Sequence, residues 1–62
     1  MMIDRMSNGR YALFLSADEL LMLSNCLNEV CHGIDLFEFE TRVGASKEKV
    51  AVMLDTILAA KA

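Results

Sequence analysis

Two kinds of apolar pattern divide the chain. From residue 16 onward, large apolar side chains recur at spacings of three and four, the period of one helical face, in two separate runs. Leu20, Leu23, Leu27, Val30 and Cys31 form the first stripe, with Asp18, Glu19, Asn25 and Glu29 on the opposite side. Val50, Met53, Leu54, Ile57 and Leu58 form the second. Before residue 16 this period is absent. Tyr11-Ala12-Leu13-Phe14-Leu15 is apolar at every position, as expected of a strand covered on both faces or paired edge-to-edge with another chain.

Polar residues mark where these elements begin and end. Ser7-Asn8-Gly9 separates residues 1–6 from 10–15, and Asn-Gly is the pair that accepts the positive φ angles of a tight hairpin turn. The first arm is the weaker strand, because Asp4 and Arg5 interrupt it. Ser16-Ala17-Asp18-Glu19 is a capping box, in which hydroxyl and carboxylate satisfy orphan amides reciprocally, and Leu15 and Leu20 flank it as a hydrophobic staple. Gly33 is the expected left-handed stop after His32. Asp35, with Glu38 three residues on, repeats the start device for a short helix that Gly44 ends, and Ser46 opens the last helix. The expectation is one small domain over residues 1–62, α+β and mostly α. An N-terminal strand or hairpin is followed by three helices at about 17–32, 36–43 and 47–60.

Composition changes the picture in one respect. Of 62 residues, 55% are apolar, above the roughly 45–50% of ordinary domains, and there is no Trp and no Pro. Such a chain is no disordered tail or disulfide-knotted mini-protein, and it has too little scaffold for the deep pocket of a self-contained enzyme. The four aromatics, Tyr11, Phe14, Phe37 and Phe39, are expected in the core. A domain of this size buries only about 60% of its unfolded surface and usually adds a disulfide, a metal or a second subunit. Cys26 and Cys31 point about 140° apart on one helix, so they do not bridge each other and read as two buried thiols. His32 and Cys31 diverge by about 100°, which argues against a nucleophilic pair. Cys26, Glu29 and His32 share one helical flank, but a trio of this kind commonly arises by chance, and neither metal nor cofactor is expected.

Self-association is the device that remains, most simply a two-fold homodimer. Its expected interface is Tyr11, Leu13 and Leu15 on the strand, with Met22, the apolar residue that interrupts the polar face of the first helix. Without a signal peptide or an apolar run long enough to cross a bilayer, the expected setting is the cytoplasm, with no membrane partner.

Net charge is −3, unevenly spread: residues 1–16 carry +1, residues 17–40 carry −6 and residues 41–62 carry +2. The acidic middle repels phosphate and attracts a basic protein, so Asp18, Glu19, Glu29 and Glu38 are the expected partner-facing residues. Between Leu36 and Asp55, Phe39, Val43, Gly44, Ala45, Val50 and Met53 fall where a helix-turn-helix places apolar residues around its turn glycine, and this third of the chain resembles that motif. Glu40 departs from it, standing where the motif takes a small residue. The resemblance implies a small DNA-binding regulator with Arg42, Ser46, Lys47 and Lys49 at the nucleic acid, although Glu48 and Asp55 would oppose phosphate. Elsewhere the chain resembles small bacterial proteins. The expected function is a non-catalytic, homodimeric protein-interaction module and not an enzyme. The alternatives are the helix-turn-helix regulator and an immunity or antitoxin-like protein that uses its acidity against a basic toxin.

Overall fold

A computed structural model describes residues 1–61. It has the expected α+β, mostly α architecture: an N-terminal antiparallel hairpin followed by three helices. Strands β1 (Met2–Arg5) and β2 (Tyr11–Phe14) pair in the register Met2↔Phe14, Ile3↔Leu13, Asp4↔Ala12 and Arg5↔Tyr11. The Met6 amide donates to the Arg10 carbonyl at 2.8 Å, closing a three-residue loop over Ser7, Asn8 and Gly9. Only Gly9 of these takes a positive φ, 80°, and the Asn8 side chain accepts from the Arg10 amide at 3.1 Å. Asn8 therefore serves as a side-chain acceptor and not as the left-handed first residue of a two-residue turn.

Helix α1 (Ala17–Asn28) starts at the capping box. The Glu19 amide donates to Ser16 Oγ at 3.1 Å, and Glu19 Oε1 accepts from the Ser16 amide at 2.9 Å. The helical stretch ends at Gly33, close to the expected boundary, but through one π turn, Glu29–Gly33, in which the Ile34 amide donates to the Glu29 carbonyl at 2.9 Å. Gly33 has no positive φ; its missing side chain instead leaves room for the Glu29 carboxylate, which a Cβ there would strike. The next helix starts later than expected. Helix α2 is only Phe39–Val43, and its N-cap is Glu38 in the left-handed region (φ 54°, ψ 51°), with Asp35 taking no capping part. Gly44, at φ 92°, ends α2 as expected. Ser46 Oγ then accepts from the Lys49 amide at 3.2 Å and opens α3 (Lys47–Lys61).

The core is the seam between α1 and α3. Cys31 and Ser24 are buried from the α1 side, Val50 and Leu54 from the α3 side. Lys61 Nζ reaches Ser24 Oγ at 3.4 Å, and the π turn also packs on α3. Ser24 Oγ also donates to the Leu21 carbonyl at 2.9 Å, which satisfies a polar group that is 2% exposed. Ser24 and Cys31 are seven residues apart, two turns along one line of the helix, and both are small enough to admit Val50 and Leu54. Leu20, Leu23, Leu27 and Val30 are half-buried around them, and Ile57 and Ala51 do the same on α3. Met53 and Leu58, expected on the buried stripe, are 55% and 44% exposed.

Because the core is so small, each buried side chain carries a large share of it. Leu54→Ala should cost about 2–4 kcal/mol of unfolding free energy, whereas Met53→Ala should cost well under half of that. Urea denaturation of the two variants beside the parent checks this, and equal losses would place the seam elsewhere on α3.

Candidate functional site

The residues expected at a dimer interface are mostly free. Tyr11 is 66% exposed, Leu13 46% and Met22 58%, whereas Leu15 is half-buried at the approach to α1. They belong to a larger surface. Residues opposite one another in the hairpin share a face, which puts Tyr11, Leu13, Ile3 and Arg5 on one side. Phe14, Met2, Ala12 and Asp4 lie on the other. Both sides stay open, since the strands pack chiefly on each other and the helices pack on helices. Phe14 is 53% and Ile3 62% exposed. Sequence reasoning put the aromatics in the core, and three of the four are not there: Tyr11, Phe14 and Phe37 are exposed. Only Phe39 is half-buried, with Lys47 Nζ 5.9 Å from its ring centroid. The physical reason is the size of the seam, which small side chains already fill.

The cysteines are likewise split. Cys31 is buried and Cys26 is exposed, because Cys26 lies about 200° around the helix from Ser24, on the far side from α3. Among the described residues no three His, Cys, Asp or Glu side chains gather to hold a metal, and no cavity opens.

The acidic residues differ in what they are free to do. Asp18 and Glu29 are eleven residues apart, close to three helical turns, so with Met22 and Asn25 they form one exposed stripe along α1. Glu38 is exposed at the start of α2. Glu19 is committed elsewhere. One of its carboxylate oxygens accepts from the N-terminal ammonium at 2.8 Å and the other from the Ser16 amide. The hydrogen bond from the ammonium and then that from the Ser16 backbone, which outweigh desolvation and are aided by the Ser16 hydroxyl, lower the Glu19 carboxyl from 4.5 to about 2. Glu19 thus fastens the end of β1 to the first turn of α1.

The residues of the DNA-binding alternative are also placed. Arg42, Lys47 and Lys49 are exposed, Lys47 turns toward Phe39, and Ser46 is half-buried and spent on capping α3. Sequence reasoning missed Ser24, although its position four residues after Leu20 and seven before Cys31, within the apolar stripe, was a readable signal. No protein family, curated protein or solved structure matches this chain.

The depressed Glu19 acidity has a sign. A carboxyl whose folded value lies below its free value stabilises the fold fully above the free value and loses that contribution as pH falls from about 4.5 toward 2. Melting temperature across that window should drop more steeply for the parent than for Glu19→Gln, which has no carboxyl to protonate. Parallel curves would show that the tie between β1 and α1 contributes nothing in solution.

Proposed function

We propose that this chain is a non-catalytic protein-interaction module that works as a homodimer in the cytoplasm, with the α1 stripe of Asp18, Met22, Asn25 and Glu29 turned toward a basic partner protein. The observation that carries the reading is the imbalance of apolar surface. Fifteen large apolar side chains are exposed among the described residues, against three apolar residues buried. Monomers of ordinary stability do not leave that much unpaired, and an interface is the usual reason. The shape agrees. The radius of gyration is 12.9 Å, against roughly 10–11 Å for a compact domain of this length. The excess fits a hairpin that stands away from the helices, and a lone two-stranded hairpin is marginal in water unless something covers it. No helix among the described residues is long and apolar enough to cross a membrane.

A small helix-turn-helix regulator is the second reading, favoured by one feature: α2, the left-handed Gly44 and the capped α3 follow one another as two helices about a tight turn. Against it stand a first helix of five residues and the scarcity of cations near α3, where Glu48 and Asp55 lie among Lys47 and Lys49.

Light scattering over roughly micromolar to near-millimolar protein, with and without duplex DNA, separates these readings. The homodimer reading expects twice the chain mass at the upper end, indifferent to DNA, and a return to monomer mass in Leu13→Asp. A folded monomer throughout the range overturns it. A mass increase with DNA that disappears in salt, and in Lys47→Glu with Lys49→Glu, would establish the regulator instead.

A further inference from the structure

We propose that two copies join through the free edge of β2, antiparallel about a two-fold axis at Leu13, to build one four-stranded sheet in the order β1-β2-β2-β1. The inference rests on the homodimer reading above and adds the surface and register that dimer uses.

The two edges of the hairpin are not equivalent. The outer edge of β1 carries Asp4 and Arg5, charged residues of the kind that guard a strand against pairing. β2 is Tyr-Ala-Leu-Phe, with no charge, no proline and no bulge, and among the described residues no strand lies along its outer edge. The backbone groups free on that edge follow from the loop. Since Met6 donates to Arg10, these two form a hydrogen-bonded pair, and pairs alternate along an antiparallel ladder. Asp4–Ala12 and Met2–Phe14 are then the other bonded pairs within the hairpin. The N–H and C=O groups of Tyr11 and Leu13 are left pointing outward.

A two-fold axis at Leu13 sets Leu13 opposite Leu13 of the second copy, Tyr11 opposite Leu15 and Ala12 opposite Phe14. It engages the outward groups of Tyr11 and Leu13 and brings in Leu15, which lies between β2 and the extended Ser16 (φ −70°, ψ 166°). Large residues meet small or flexible ones, and no like charges face each other. The same register sets Arg10 opposite Ser16 of the second copy, beside Asp18 in the acidic first turn of its α1. An axis at Ala12 instead sets Arg10 opposite Phe14 and leaves Leu15 out. Charge complementarity thus chooses Leu13.

The test introduces Leu13→Cys into full-length chain carrying Cys26→Ser, with Cys31 left buried in the core. Mild oxidation should link two chains through the introduced thiols, while Ala12→Cys in the same background should link far less. As a check that survives a folding failure of either, Arg10→Asp alone should weaken dimerisation about two- to fivefold, and adding Asp18→Lys should restore it. A dimer by light scattering that cross-links best at Ala12→Cys overturns the proposed register, and one that cross-links at neither position overturns the edge as well, but both leave the homodimer standing. A parent chain that stays monomeric overturns both.

Discussion

The close packing of α1 on α3 through Ser24, Cys31, Val50 and Leu54 sets the terms for the rest of the molecule. The fully buried residues on its α1 side, Ser24 and Cys31, are small, and only Val50 and Leu54 are buried opposite them, so the seam removes little apolar surface from water. The larger apolar residues, including most aromatics, then have nowhere to go within one chain. The exposed hairpin and the apolar residues along the outer sides of α1 and α3 follow from the size of that seam.

The hairpin is attached by polar chemistry more than by packing. A single carboxylate, Glu19, receives the N-terminal ammonium and the Ser16 amide, while the Glu19 amide donates to Ser16 Oγ. One capping box thereby does two tasks: it starts α1 and it orients the strand pair beside it. The fold is consequently two units of different character, a packed pair of helices and a strand pair with both faces and both edges open. The division matches a role in which one part holds shape and the other meets a partner.

Much of this was legible from residue types. The alternation of spacing, the capping box at Ser16, the cap at Ser46 and the stop at Gly44 located α1, α3 and the hairpin, because each is a local device that acts on its own neighbours. What was not legible depends on longer range. The π turn at Glu29–Gly33 has no sequence signature distinct from that of an ordinary helix end, so Gly33, where the helix does end, read as a left-handed stop and Asp35 as a cap. The left-handed Glu38 was hidden for the same reason. The exposure of Tyr11, Phe14, Phe37 and Cys26 was misread because an apolar residue type says what burial would gain, not whether a surface is present to receive it. Of the surfaces proposed to function, the strand edge was readable as an unbroken apolar run. That Glu19 is withdrawn from the acidic stripe was not, since it depends on where β1 ends in space.

The split between the two thiols has a practical consequence. Cys26 meets solvent directly, while Cys31 is 1% exposed within the seam. A thiol reagent therefore encounters two populations in the same chain: one modified at the rate of an open cysteine, the other only during excursions in which α1 and α3 part. The lag of the second behind the first is a natural clock for the breathing of the helix pair. It needs no introduced label, and it reports on the core without disturbing the hairpin.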